Sequence, residues 1–139
     1  VGSVGGRFPV PLEGAYCASK FALRALTASL RDELRPFGVS VVLIEPPYVR
    51  TKQAEQEIQA ADGRADSPYA TLYDRFERVA RKEYGSAPGP DVVAKTILAA
   101  ANTESPRSRY PVGLKAWFQG ALGQLPPRLR YRLWAWSAE

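Results

Sequence analysis

Tyr16-Cys17-Ala18-Ser19-Lys20 opens a helical pattern that runs to Phe37, and Val39-Ser40-Val41-Val42-Leu43-Ile44 follows it at once. That order decides the fold. Phe21, Leu23, Leu26, Leu30 and Leu34 recur at the steps of one helical face. The mostly apolar, β-branched run after Gly38 reads as a strand over 39–45 buried on both sides of a parallel sheet. A helix feeding directly into a buried strand is the step from which α/β folds are built.

The same stretch carries chemistry. A Tyr and a Lys four positions apart share a helix face. An ammonium beside a phenol favours the phenolate, so a Tyr brought down from its usual pKa of about 10 can exchange a proton near neutral pH. The plain alternative is a half-buried packing Tyr with a solvated Lys one turn on. Ser3 precedes Tyr16 by thirteen positions, inside Gly2-Ser3-Val4-Gly5-Gly6, where turn chemistry is the competing reading. The strand leads into Glu45-Pro46-Pro47-Tyr48-Val49-Arg50-Thr51, whose Thr is also a fair N-cap for the polar segment after it. Ser19 and Cys17 read as packing residues.

Ser3, Tyr16-x-x-x-Lys20, Glu33-Leu34 followed by Gly38-Val39-x-Val41, and Pro46-x-x-Val49-x-Thr51 stand in an order that closely resembles the short-chain dehydrogenase/reductase family. Within it the nearest likeness is to members of the retinol and steroid dehydrogenase kind, which share an R-Y-x-V-G step like Arg109-Tyr110-Pro111-Val112-Gly113. The resemblance is strongest over Ser3–Thr51 and reaches Gly113. It implies an α/β fold, the C-terminal part of a Rossmann-type doubly wound parallel sheet with the N-terminal βαβ cofactor half missing. It implies an NAD(P)-dependent oxidoreductase interconverting an alcohol and a ketone or aldehyde. On that resemblance Tyr16 is the general acid/base, Lys20 lowers the Tyr pKa and bonds the nicotinamide ribose, and Ser3 holds the substrate oxygen. Pro46, Val49 and Thr51 then contact NAD or NADP together with Tyr16 and Lys20. The chain departs from the family at Pro47, where a Gly is usual. Pro fixes φ near −65° and removes an N–H, so this loop either tolerates negative φ or is altered.

The chain has no G-x-x-x-G-x-G turn after a strand and no Met, and it opens at Val1. The expectation is a C-terminal fragment of a longer dehydrogenase, inactive by itself. Its 139 residues suit one domain. The expected division is 1–113, the Rossmann-like portion, and 114–139, an amphipathic tail or cap. The absence of His excludes His-based triads and argues against a zinc site. A single Cys allows no internal disulfide, which points to a reducing, cytoplasmic setting. The net charge is +5, but the Arg residues are scattered rather than gathered on one face, which argues against nucleic acid.

Further along, Lys52–Asp66 is polar and occupies the place of a substrate loop beyond a strand's carboxyl end. Helices are expected over Pro68–Tyr84 and Asp91–Ala101, separated by Gly85-Ser86-Ala87-Pro88-Gly89-Pro90. Tyr110–Gly113 reads as a short last strand. Beyond it, aromatic residues from Trp117 to Trp136 mix with Arg128, Arg130 and Arg132, and Pro126-Pro127 splits two amphipathic segments. One reading is a cap or lid over an apolar substrate, and another is a segment lying peripherally on a membrane. Three functions compete: the oxidoreductase, an extended-type nucleotide-sugar epimerase or dehydratase sharing Y-x-x-x-K, and an inert or dimerising non-enzymatic fragment. In the family the helix over 14–37 commonly pairs subunits, which implies a homodimer or homotetramer.

Overall fold

The computed structural model describes residues 1–52, 56 and 66–137, the side chains of residues 131 and 134–137 excepted. The polar stretch expected to form a substrate loop therefore lies almost wholly outside the described residues. The chain divides into two compact units, Val1–Pro47 with Asp91–Gln124, and Tyr48–Pro90 with Leu125–Glu139.

The first unit has the α/β character expected of a Rossmann-type piece. A 3₁₀ turn, Val4–Gly6, precedes helix α1, Gly14–Leu34, which ends in a second 3₁₀ turn, Arg35–Phe37. Strand β1 is Leu43–Glu45 and strand β2 is Arg109–Pro111. They pair in parallel, with Ile44 opposite Tyr110. Helix α3, Asp91–Ala101, runs before β2, and helix α4, Gly113–Leu122, follows it. The core gathers Ile44, Ala100 and Val112, with Val42, Val92, Val93 and Tyr110 packed around them. Val92, Val93 and Ala100 lie on one face of α3, so this helix covers the sheet through residues at helical spacing.

The opposite edge of β1 is occupied as well. Gly2 N–H donates to the Ile44 carbonyl at 2.8 Å and Val4 N–H to the Pro46 carbonyl at 3.1 Å. Donors two residues apart reach acceptors two residues apart in the same order, as between parallel neighbours. The opening residues thus behave as the tail of a strand beside β1, and they deliver the Ser3 turn to its carboxyl end.

The ladder is shorter than the expected 39–45. The Val41 carbonyl, which would continue it, accepts a hydrogen bond from Arg31 Nη1 at 2.6 Å, and Arg31 Nη2 takes the Pro106 carbonyl at 2.9 Å. A guanidinium thus replaces the ladder upstream of Leu43, and Val39 and Ser40 are exposed. The sequence pattern places the end of α1 at Phe37. The α-helix stops at Leu34, and Gly38 at φ 73° closes the turn with its N–H on the Arg35 carbonyl. Only glycine takes that left-handed conformation without strain.

In the second unit, helix α2 runs Ala70–Gly85 and helix α5 runs Pro127–Ser137. Both start within a residue or two of where the Pro-containing breaks place them. Ser67 Oγ accepts from Tyr69 N–H as α2 begins, and Ser86 Oγ donates to the Lys82 carbonyl where it ends. No described helix is long and apolar enough to cross a membrane.

Candidate active site

Ser3 takes an extended conformation just before the 3₁₀ turn, and its Oγ accepts from Gly5 N–H at 3.1 Å. The bond fixes the side chain and leaves its O–H hydrogen to donate outward. The Ser3 carbonyl accepts from Gly6 N–H and the Val4 carbonyl from Arg7 N–H, so the turn is rigid along its whole length.

Helix α1 presents Tyr16 and Lys20 to that turn. Lys20 Nζ stands over the Tyr16 ring, 5.2 Å from its centroid, within the range of a cation–π contact. Gly5 is a point of close approach between the two elements. A β-carbon there would be 3.2 Å from Tyr16 Cε1 and 3.5 Å from Ser3 Oγ. The absence of a β-carbon at Gly5 therefore lets the tyrosine ring edge pack closely against the turn that carries the serine hydroxyl. Ser3, Tyr16 and Lys20 are all half-buried, so their polar ends stay within reach of a small molecule. Pro46 joins the group through its carbonyl, which accepts from Val4 next to Ser3.

Of the residues singled out in the sequence, the first unit brings together Ser3, Tyr16, Lys20 and Pro46. Val49 and Thr51 belong to the second unit, where Val49 is half-buried, Thr51 is exposed, and Arg50 N–H between them donates to the Pro88 carbonyl at 2.9 Å. Leu12 is the one described non-glycine residue with positive φ, so the backbone through Pro47 runs at negative φ, and Pro in the family's Gly position fits it.

Cys17, beside Tyr16, is buried. Burial pushes its thiol above the ordinary value of 9.0, and the Glu13 charge adds to that, while bonds with the Val10 and Cys17 backbone pull it back. A protonated, buried thiol is a packing group, as the sequence suggested.

Glu45 and its surroundings were missed in the sequence. Glu45 is 1% exposed and faces Arg7, whose Nη1 lies 3.9 Å from Oε2. Burial holds the Arg24 guanidinium below its ordinary range, Arg109 and Arg7 push it further down, and Glu45 raises it. A carboxylate inside an apolar run is the signal that was available, since a buried charge needs a cation. Which cation it takes is settled only by folding.

The first unit thus sets Ser3, Tyr16 and Lys20 beyond the carboxyl end of a strand in a parallel sheet. Comparison with known proteins gives the family. Residues 1–62 match the family model described as short chain dehydrogenase. The chain is 36% identical over 127 residues to the "Uncharacterized oxidoreductase YbbO" of Escherichia coli K12, covering 90% of this chain and 42% of that protein. It is 35% identical over 129 residues to the "Probable short-chain type dehydrogenase/reductase VdlC" of Helicobacter pylori, covering 93% and 47%. It is 36% identical over 116 residues to human "17-beta-hydroxysteroid dehydrogenase type 1", covering 78% and 34%. The chain belongs to the short-chain dehydrogenase/reductase family, and it spans less than half the length of these relatives.

Proposed function

We propose that the protein carrying this sequence is an NAD(P)-dependent oxidoreductase that interconverts an apolar alcohol and its ketone or aldehyde. The carrying observation is the close approach of the Ser3 turn to the Tyr16 ring at Gly5, with Lys20 Nζ over that ring. A substrate carbonyl oxygen held by the Ser3 and Tyr16 hydroxyls would have two donors. Negative charge grows on that oxygen during reduction, and a hydroxyl already fixed by Gly5 N–H stabilises it without reorganising. Tyr16 gives the proton and takes it back in the reverse direction. The Lys20 cation favours the phenolate left behind.

The donor set of hydroxyls and an ammonium suits a nicotinamide ribose beside the carbonyl, with Tyr16 and Lys20 holding it. Pro46 is the further residue of this unit that we assign to the cofactor. When bound, the nicotinamide supplies or accepts the hydride. The 17-beta-hydroxysteroid name of one relative supports a rigid apolar alcohol as the substrate class.

The test is turnover of NADH and NADPH with a panel of apolar ketones, steroid ketones included, by the protein at its natural length. Tyr16→Phe should reduce turnover at least a thousandfold, since general acid–base and oxyanion terms are together worth about that much, while cofactor still binds. Turnover by Tyr16→Phe equal to the parent's would overturn the reading.

A second reading concerns partners. Helix α1 turns Leu23, Leu30 and Leu34 inward but leaves Phe21 and Leu26 exposed, Leu26 at 55%, beside Ala18, Ala22, Ala25 and Ser29. Small side chains around two large ones suit close packing of a second copy, and we propose a homodimer or homotetramer through this face. A sedimentation mass equal to one chain at micromolar concentration would remove it.

A further inference from the structure

The Ser3 turn and helix α1 are separate elements, and the chemistry proposed above needs them at a fixed spacing. Ser3 sits on one, and Tyr16 and Lys20 on the other. The backbone of Gly6 lies against the Lys20 carbonyl, where a β-carbon would come within 2.8 Å of the oxygen. Dispersion across that contact resists separation only weakly per atom pair. Arg24 adds a polar tie, its Nη1 donating to the Gly6 carbonyl at 3.3 Å. Arg24 is one helical turn beyond Lys20 and two beyond Tyr16, on the same half-buried stripe.

The setting makes a guanidinium an expensive choice there. Arg7 and Arg109 stand near enough to oppose its charge, and Glu45 is a carboxylate that partly offsets them. Glu45 in turn pairs with Arg7, the residue just after the turn. The turn is thereby held at Gly6 toward α1 and at Arg7 toward the end of β1. An aliphatic side chain of similar length would avoid the repulsion between cations but could not bond Gly6.

We propose that Arg24 is a positioning residue: its bond to the Gly6 carbonyl sets the distance between the Ser3 hydroxyl and the Tyr16–Lys20 pair. This rests on the acid/base reading above. Arg24 touches no reacting atom and acts through the turn. A shift of about 1 Å at a reacting group can cost roughly a hundredfold in rate, so the effect falls on kcat more than on the apparent affinity for cofactor.

The experiment compares Arg24→Met, Arg24→Lys and Tyr16→Phe in the protein at natural length. It measures kcat and KM for the best ketone of the panel, cofactor dissociation by NAD(P)H fluorescence, and amide exchange at Gly5 and Gly6. Arg24→Met should lower kcat by roughly tenfold to a hundredfold, leave cofactor affinity within about twofold, and speed exchange at the two amides. Arg24→Lys, which keeps a cationic donor, should recover most of both. Unchanged exchange in Arg24→Met would overturn the proposal whatever the activity. So would a kcat loss that the Lys variant fails to repair, or one that matches the fraction of unfolded protein. Should Arg24→Met not fold, exchange and kcat in Arg24→Gln, a neutral donor, decide by the same criteria. An active Tyr16→Phe defeats the acid/base reading itself, whereas an inactive Tyr16→Phe beside a fully active Arg24→Met defeats only the positioning role.

Discussion

Gly6 rests its α-carbon against the main chain of Lys20, so that a β-carbon would meet the Lys20 carbonyl oxygen at 2.8 Å and its carbon at 3.1 Å. Backbone stands on backbone, and neither side can rotate away. Gly6→Ala should therefore cost about 1–3 kcal/mol, the range for overpacking a filled site, measured as a shift in the denaturant midpoint. A β-carbon at Gly5 meets the Tyr16 ring edge at 3.2 Å and Ser3 Oγ at 3.5 Å, side chains rather than backbone. Gly5→Ala should cost less stability but press the ring away from Ser3, so activity falls more than stability does. Equal stability losses in the two variants would contradict this geometry.

Leu12 holds φ at 68° in the loop that enters α1. A branched side chain in the left-handed region costs about 1–2 kcal/mol, and Leu12 is exposed, so little packing offsets it. Leu12→Gly relieves the strain, with about 0.5–1 kcal/mol lost again as chain entropy. The expected result is an unchanged or slightly raised Tm. A fall beyond about 1 kcal/mol would mean that the side chain packs in solution.

The Cys17 thiol gives a pH signature. Its folded pKa lies above the ordinary 9.0 because burial disfavours the thiolate. The unfolded chain thus releases this proton first as pH rises, and the native state loses ground from about pH 9 upward through the folded value. Cys17→Ala should flatten that part of the stability profile. Alkylation of the native protein at pH 8 should be slower than that of the urea-unfolded chain, and equal rates would contradict the burial.

Arg31 carries two carbonyls at once, those of Val41 and Pro106, at 2.6 and 2.9 Å. Charged-donor bonds are worth about 1.5–3 kcal/mol each, less where partly exposed. Arg31→Met should lower stability by about 2–3 kcal/mol, whereas Arg35→Met, on the exposed end of α1, should change it by less than about 0.5 kcal/mol. Thermal unfolding of the two variants side by side checks this.

The helices and their breaks were legible because they follow from local rules. Leu spacing marked α1, Asp91 and the Gly/Pro cluster before it marked α3, and Pro126-Pro127 divided α4 from α5. The strand was legible in place but not in length. Nothing in Val39-Ser40-Val41-Val42 shows that Arg31 will take the Val41 carbonyl, because that bond joins residues whose proximity is a product of folding. Ser3, Tyr16 and Lys20 were singled out as candidates by their spacing, whereas Gly6 and Arg24 were not, since a glycine's role in a close approach depends on what approaches it.

The sequence by itself determined the order of helix and strand and the Tyr16–Lys20 face, because periodicity and fixed spacing act within a few turns of chain; the order of its motifs carried the family resemblance. Tertiary structure alone decided that Glu45 is buried against Arg7, that Arg24 reaches Gly6, and that the Ser3 turn and the Tyr16 ring meet at Gly5. Those contacts join segments brought together only when the parallel strands pair, and their energies depend on burial that no local stretch of sequence specifies.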